Sequence, residues 1–291
     1  MRSGKKTGGG HWPGLVNARD TAGIGVITIN FLHAVLLGIV QGITEFLPVS
    51  SSGHLVIVPA LFGIPKPALT FDVLLHLGTG LAVVAIFRDE LLTLVKGICK
   101  GEKAALRMAG WLVVGTIPAV IAGFLLRDQV EKVFGVPVFS GVFLLVTAFL
   151  LWLADRYDGA KDYQSLGWGG ALLVGVFQAL ALLPGISRSG ATITAGRAWG
   201  LSRQEAARFS FLLSIPVIFG AGLYEALPLL TGEMPLELTG PYLAGTLVAS
   251  VSGFLVIKYF LGYLGRGRLR PFMLYCLLMG TAFLLGTFFL F

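Results

Sequence analysis

The chain has 291 residues, of which 55% are hydrophobic and only 13% are charged. Soluble domains carry roughly 25% charged residues, so this composition excludes an ordinary water-soluble protein and indicates a polytopic membrane protein. In such a protein basic residues mark cytoplasmic loops, so the formal net charge of +7 does not indicate nucleic-acid binding.

Residues 1–23 form a Gly-rich, basic segment that lacks the apolar core of a signal peptide. We expect a disordered N-terminal extension there, followed by one polytopic membrane domain over residues 24–291. The two cysteines, Cys99 and Cys276, are far apart and match neither metal-ligand spacing nor a disulfide framework.

Six apolar segments approach the roughly 20 residues that a membrane-spanning helix needs; they are residues 70–88, 108–126, 138–154, 207–224, 239–263 and 271–291. Two further pairs, 24–42 with 54–65 and 166–183 with 191–200, are interrupted by polar loops that contain Pro and Gly. Non-helical backbone at membrane depth is stable only when protein buries it or when it lines a wet cavity. The sequence therefore predicts an all-α integral membrane protein with about six full transmembrane helices and two re-entrant helix–loop–helix pairs.

The charges of the loops predict the orientation of the chain. Arg and Lys are concentrated in residues 88–107 and 266–270, whereas residues 225–237 contain three glutamates and no basic residue. Because basic loops lie on the cytoplasmic side, we expect residues 225–237 outside, and the first re-entrant pair enters from that side. The basic N-terminal tail is the segment that violates this rule.

An internal repeat relates the two polar loops. Residues 38–53 (GIVQGITEFLPVSSSG) align without gaps with residues 175–190 (GVFQALALLPGISRSG), at a spacing of 137 residues, the difference between positions 178 and 41. The alignment predicts two halves, about 24–160 and 161–291, each with one re-entrant pair and about three spans. An odd number of spans inserts the second half upside down, and such inverted repeats place their site near the middle of the membrane.

The two loops carry polar side chains that the membrane disfavours. The first contains Gln41, Glu45, Ser50, Ser51, Ser52 and His54, and the second contains Ser187, Arg188, Ser189 and Thr192. An arginine at membrane depth costs about 2.5–3.5 kcal/mol on insertion scales, so Arg188 requires a partner. An internal ion pair with Glu45 would supply one but would leave the hydroxyl groups unexplained.

A bound phosphate group would explain both features. Arginine offers paired donors to phosphate oxygens, and hydroxyl groups with the backbone N–H groups near Gly190 add further donors. Because the Glu45 carboxylate would repel a phosphate, we expect a divalent cation, Mg²⁺ or Ca²⁺, with Glu45 as a ligand. Glu45 acting as a base is the alternative.

The stretches QGITEFLPVSSSGH (41–54) and PGISRSGAT (184–192) resemble the two signature regions of the undecaprenyl-diphosphate phosphatase family, also called the bacitracin-resistance protein. The resemblance covers residues 28–291. It implies hydrolysis of undecaprenyl diphosphate to undecaprenyl phosphate in the bacterial inner membrane, which recycles the lipid carrier of peptidoglycan synthesis, with the active site facing the periplasm.

The resemblance also implies roles for the residues of the two loops. Four residues are expected to be catalytic: Glu45, Ser51, His54 and Arg188. Six further residues are expected to bind substrate: Gln41, Ser50, Ser52, Ser187, Ser189 and Thr192. Ser51 is the candidate nucleophile, and attack by water or by His54 is the alternative. The sequence departs from the pattern at Gln41, where many members carry Glu, so Glu45 alone must supply the negative charge.

The expected partners are a long-chain polyprenyl diphosphate and the lipid bilayer, with a second copy of the chain as a further candidate. A flippase that binds the same lipid without cleaving it is the alternative function, because inverted repeats and broken helices also occur in transporters. An acid phosphatase with a Ser-Arg-x₅-His motif is disfavoured because position 194 is Thr. An intramembrane serine protease would not need Arg188.

Overall fold

A computed structural model describes residues 29–64, 69–134, 136, 138–232 and 239–290, so the predicted extension at residues 1–23 lies outside the described part. The regular secondary structure of the described residues is helical, which confirms the all-α class. The helices are α1 (Phe31–Phe46), α2 (Ser51–Phe62), α3 (Leu69–Ile86), α4 (Arg88–Cys99), α5 (Lys103–Leu125), α6 (Arg127–Phe134), α7 (Val138–Ala154), α8 (Gly167–Leu180), α9 (Arg188–Ala198), α10 (Arg203–Leu230), α11 (Gly240–Leu264) and α12 (Arg270–Leu290).

Among the described residues, five helices are long and apolar enough to cross a membrane: α3, α5, α10, α11 and α12. The sequence predicts about six, and the difference is α7, which has 17 residues. At 1.5 Å per residue such a helix reaches about 26 Å, which is less than the roughly 30 Å of a hydrocarbon core. The first members of the two expected re-entrant pairs, α1 and α8, are shorter still, with 16 and 14 residues.

Two predicted loops are helical over part of their length. The basic segment 88–107 contains all of α4 and the start of α5, which meet at Gly101 with a φ of 70°. The expected outer connection 225–237 begins within α10, which continues to Leu230, and its residues 233–237 lie outside the described part. A search for long apolar runs misses α4 because its charged residues lower the average hydropathy of a helix that has only one apolar face.

Close backbone contacts at glycines bring two helix pairs together. Helix α1 packs along α11, and α8 packs along α5. A Cβ atom built on Gly38 would lie 2.5 Å from the carbonyl oxygen of Gly245, and one on Gly175 would lie 2.6 Å from that of Gly115. Small residues permit this approach between apolar helices, where dispersion contacts stabilise the pair. Helix α7 packs on α12, and α3 packs on α10 and α11.

Arg197 and Asp155 tie together the loops at the end of the bundle that carries residues 266–270. Arg197 is buried and donates hydrogen bonds to three backbone carbonyls, those of Ala154, Gly159 and Leu201. Asp155 accepts from Arg203 Nε at 2.7 Å and from the backbone N–H of Arg270 at 3.0 Å. These bonds fix the ends of α7, α9 and α12 relative to one another.

Candidate active site

The first polar loop joins α1 to α2 at a strained serine. Ser50 has a φ of 70°, and it is the one non-glycine residue with a positive φ in the described part of the chain. A backbone in such a sparsely populated region costs about 1–3 kcal/mol and persists only when its surroundings hold it. The side chain of Ser50 accepts a hydrogen bond from the backbone of Gly53 and so caps the N-terminus of α2.

The second polar loop joins α8 to α9 and is capped in the same way. Ser187 accepts a hydrogen bond from the backbone of Gly190 at 3.1 Å. Thr147 on α7 holds the loop from the side, because its hydroxyl donates to the carbonyl of Gly185 at 2.9 Å and accepts from the backbone of Ser187 at 3.0 Å. Both N-caps belong to the residue types that stabilise a helix start by about 1 kcal/mol.

The two loops touch directly. The hydroxyl of Ser189, at the start of α9, donates to the carbonyl of Leu47 in the first loop at 3.1 Å. A Cβ atom built on Gly53 would lie 3.7 Å from Cα of Gly185, and one on Gly190 would lie 3.4 Å from Cβ of Pro48. The N-termini of α2 and α9 therefore face each other across a short gap.

Glu45 is the centre of the polar contacts at this junction. Its Oε1 accepts a hydrogen bond from Arg188 Nη2 at 2.7 Å, and its Oε2 accepts from the hydroxyl of Ser51 at 2.7 Å and from Gln41 Nε2 at 3.2 Å. The Glu45 side chain is 8% exposed and that of Arg188 is 14% exposed. The structure thus brings four predicted residues, from α1, α2 and α9, into one hydrogen-bonded group.

This arrangement compensates the buried charges. Hydrogen bonds to an ionised group are about twice as strong as neutral ones, and Glu45 has three of them. Removing one partner of a buried ion pair costs about 3–5 kcal/mol because the other charge is left unpaired. Arg188 and Glu45 therefore support each other, while Ser51 and Arg188 are only partly buried.

The other hydroxyl groups predicted for the site form hydrogen bonds with other groups of the protein. Ser50 contacts Ser52 at 3.3 Å, and Ser187 contacts Ser189 at 3.1 Å. Thr192 is buried and its hydroxyl lies 2.7 Å from that of Ser210 on α10. Ser52 alone among these five predicted residues is half-exposed.

His54 lies in α2 and is hydrogen-bonded through both ring nitrogens. Its Nδ1 is 2.7 Å from the carbonyl oxygen of Ser50, and its Nε2 is 2.6 Å from the hydroxyl of Tyr275 on α12. A carbonyl only accepts, so Nδ1 carries the proton, and in the neutral ring Nε2 accepts from Tyr275. The two rings also stack, with centroids 5.6 Å apart. Through these contacts His54 holds the strained carbonyl of Ser50.

Gln41 offers an oxygen that the protein leaves without a partner. Its side chain is fully buried, and Oε1 has no hydrogen-bond partner among the described residues. No group of three or more His, Cys, Asp or Glu side chains suited to a metal occurs in the described part of the chain. Mg²⁺ is commonly held by one or two carboxylates together with substrate phosphates and water. The oxygens of Glu45 and Gln41 fit that kind of site.

The sequence analysis did not identify several residues that contact the two polar loops. Tyr275 and Ser210 lie on predicted spans, and Thr147 lies on α7, where single hydroxyl groups in apolar helices give no local pattern. His76 on α3, which the sequence analysis did not place in the site, interacts electrostatically with Glu45. Cys276 donates a hydrogen bond to the carbonyl of Pro48. A long-range contact was the missing information in each case.

The fold and the site together define a multi-pass helical membrane protein with a buried Arg–Glu–Ser group at the meeting point of two helix pairs. The family described as bacitracin resistance protein BacA matches residues 34–282, and the chain belongs to this family. This confirms the resemblance of the two polar stretches.

Three relatives show how far the similarity extends. Undecaprenyl-diphosphatase of Desulforudis audaxviator is 44% identical over 254 residues, which cover 87% of this chain and 96% of the relative. That of Thermomicrobium roseum is 43% identical over 272 residues, with 88% and 98% covered. That of Trichlorobacter lovleyi is 44% identical over 255 residues, with 85% and 93% covered. The similarity therefore spans nearly the whole length of each relative.

Proposed function

We propose that this protein hydrolyses undecaprenyl diphosphate to undecaprenyl phosphate and inorganic phosphate. The observation that carries the proposal is the hydrogen bond from the Ser51 hydroxyl to Glu45 beside the guanidinium of Arg188. Membership of the family and the printed names of the relatives support the same reaction.

The contacts suggest how the reaction proceeds. Ser51 Oγ attacks the terminal phosphorus while its proton passes to Glu45 Oε2, 2.7 Å away, and the anhydride P–O bond breaks to release undecaprenyl phosphate. Glu45 passes that proton to the departing undecaprenyl phosphate and is a carboxylate again. Water then attacks the phosphoserine and gives a proton to Glu45, and the Ser51 Oγ–P bond breaks as Glu45 returns the proton to Oγ and inorganic phosphate leaves. Arg188 stabilises the charge on the equatorial oxygens of the transferred phosphoryl group. Direct attack by a water held on Glu45 is the alternative first step.

The proposal includes a divalent cation, Mg²⁺ or Ca²⁺, at Glu45. Glu45 and the unpartnered Oε1 of Gln41 would hold it, and when bound it would supply positive charge between the carboxylate and the diphosphate. The protein's own part is to orient these two oxygens on one face of α1, since positions 41 and 45 are one helical turn apart.

The proposed architecture is an inverted repeat of two halves, each with a re-entrant pair. Equivalent positions at the spacing of 137 residues make equivalent contacts. Ser50 and Ser187 are both N-caps. Pro48 accepts a hydrogen bond from Cys276 on α12, and its equivalent Gly185 accepts one from Thr147 on α7. These similar contacts support a two-fold relation between the halves.

The glycine contacts follow the same exchange. Gly38 of the first half packs on α11 of the second, and its equivalent Gly175 packs on α5 of the first. This reciprocal packing supports halves that interlock rather than lie side by side. With the basic residues of 88–107 and 266–270 inside, the site would open to the periplasmic face of the inner membrane.

A flippase using the same site is the weaker alternative. A carrier that only binds a lipid phosphate needs Arg188 and hydroxyl donors, but it does not need a serine hydroxyl hydrogen-bonded to a carboxylate. That pair is the usual arrangement of an activated nucleophile. The Ser51–Glu45 hydrogen bond therefore favours hydrolysis.

The test is release of inorganic phosphate from undecaprenyl diphosphate by the purified protein. We expect turnover by the natural chain and a loss on the order of 10³-fold or more in Ser51→Ala, since a nucleophile is removed. Ser165→Ala is the matched control because Ser165 is exposed and bonds only within its own turn. A protein that binds the lipid but releases no phosphate would contradict the proposal.

A further inference from the structure

A cavity of about 330 Å³ lies where α7 ends and α12 begins. Its lining comprises three arginines, one acidic residue and two apolar residues: Trp152, Asp155, Arg156, Arg268, Arg270 and Met273. None of these residues contacts the residues of the candidate active site. The cavity is therefore a separate feature of the molecule.

The cavity carries a net positive charge that the described part of the chain does not balance. The carboxylate of Asp155 is already used, by Arg203 on one oxygen and by the backbone of Arg270 on the other. No described carboxylate forms an ion pair with the side chains of Arg156, Arg268 or Arg270. Three guanidinium groups around one cavity favour an anion with several oxygens.

The apolar part of the lining indicates the kind of anion. Trp152 is 42% exposed on α7, and the guanidinium of Arg156 lies 4.4 Å from the centroid of its ring. Met273 lies in the first turn of α12, whose remaining length is apolar. Tryptophan is typical of the membrane–water boundary, where headgroups lie. One wall of the cavity is thus continuous with the apolar surface of two helices.

We propose that this cavity binds the phosphate of an anionic phospholipid. The three arginines hold the phosphate, and the acyl chains run along the outer faces of α7 and α12 past Trp152 and Met273. Basic pockets between transmembrane helices on the cytoplasmic side bind anionic headgroups in this manner. Because the cavity lies at the junction fixed by Asp155 and Arg197, a bound lipid would also brace the ends of α7 and α12.

The test compares lipids bound to the purified full-length protein by native mass spectrometry. The probes are phosphatidylglycerol and phosphatidylcholine with identical acyl chains, because they differ in headgroup charge. We expect the natural chain to retain phosphatidylglycerol in preference to phosphatidylcholine. Replacing Arg156, Arg268 and Arg270 by Gln together should abolish the preference, and Arg268→Gln alone should weaken it roughly fivefold, the effect of one basic residue near an anionic surface.

The control removes equal charge elsewhere on the same face. Lys96, Lys100 and Lys103 are exposed, and replacing all three by Gln should leave the lipid preference intact. An equal loss in this control would mean diffuse surface charge and would overturn the proposal. Displacement of phosphatidylglycerol by millimolar inorganic phosphate would also overturn it, because the cavity would then be a site for a free anion. Arg268→Gln keeps the test valid if the triple variant fails to fold.

Discussion

Arg188 and Glu45 are 143 residues apart in sequence and 2.7 Å apart in the structure. The guanidinium uses Nη2 for Glu45 and directs Nη1 toward the carbonyl of Ser210 at 3.4 Å. In the proposed reaction its remaining N–H groups would donate to the phosphate beside Ser51. The planar fork, and not the charge alone, makes this division of donors possible.

Replacing Arg188 by Lys should therefore nearly abolish turnover while leaving the fold intact. Lysine keeps a positive charge beside Glu45 but presents a single nitrogen. We therefore expect a loss of kcat on the order of 10²–10³-fold, as when one donor of a charge-stabilising site is removed. Phosphate release measures the effect, and the melting temperature checks the fold. Arg266→Lys, at an exposed loop position, is the control. Turnover within a few-fold of the natural chain would exclude the proposed role.

We expect Tyr275 to stabilise the fold through its contact with His54. In Tyr275→Phe the ring that stacks on His54 remains, but Nε2 loses its 2.6 Å partner. We expect the free energy of unfolding to fall by about 0.5–1.5 kcal/mol, the usual contribution of one hydrogen bond. Chemical unfolding in detergent measures it. Tyr259→Phe, on an exposed face of α11, should change nothing; an equal effect there would remove the support for the His54 contact.

At the scale of the helices, the glycines of α1 and α8 determine how closely the two halves approach. A methyl group on Gly38 or Gly175 would meet a backbone carbonyl, which cannot move aside as a flexible side chain can. Overpacking of this kind typically costs about 1–3 kcal/mol. The strained Ser50 and the capping Ser187 both lie at the far ends of the loops that follow these helices, so a shift of either helix would reach the site.

Gly38→Ala and Gly175→Ala should each lower both the melting temperature and the rate of phosphate release. The natural control is Gly123→Ala in α5, because a Cβ atom there would meet nothing within 4 Å, and alanine is the better helix former. Thermal unfolding of the purified variants measures the difference. Equal melting temperatures for Gly38→Ala and Gly123→Ala would contradict the close α1–α11 contact.

The helices were predictable from sequence to the extent that they are apolar. Hydropathy located α3, α5, α10, α11 and α12, and the repeat located the two loops. Hydropathy could not locate α4, which has only one apolar face, or the end of α10 beyond Glu225. In the site, the clustered hydroxyls and Arg188 drew attention to residues that the structure brings together, because such groups are costly in a membrane. Tyr275 and Ser210 gave no signal, since their partners lie on other helices.

For the molecule as a whole, the proposed orientation makes two described positions reporters of opposite faces. Cys99 is exposed at the end of α4 in the basic segment, and Thr231 is exposed just beyond α10. In intact cells a membrane-impermeant thiol reagent should label Thr231→Cys, made in a Cys99→Ser background. It should label the natural Cys99 only after the cells are permeabilised. The reverse pattern would invert the topology and the periplasmic opening with it.

The proposed dependence on a divalent cation concerns the assembled site. Because the Glu45 carboxylate faces the diphosphate as a like charge, we expect phosphate release to stop in excess EDTA and to return with Mg²⁺. Gln41→Glu should retain or raise activity, since it adds a second carboxylate one turn from Glu45. Full activity after extensive dialysis against EDTA would contradict the cation, whereas an inactive Gln41→Glu would indicate that the amide of Gln41 donates to the phosphate.

Two aligned loop positions carry unlike chemistry, although others, such as Ser50 and Ser187, carry the same residue. Position 51 is a serine and its equivalent at 188 is an arginine, while Glu45 corresponds to Leu182. In the proposed repeat, this chain carries Ser51 and Glu45 in the first half and Arg188 in the second, so the two halves together hold one set of these groups. The stoichiometry follows: a rapid-quench experiment should trap one phosphoryl group per polypeptide, never two. If the chain is divided within residues 155–165, the two resulting fragments should each be inert. They should regain turnover only when they are co-expressed.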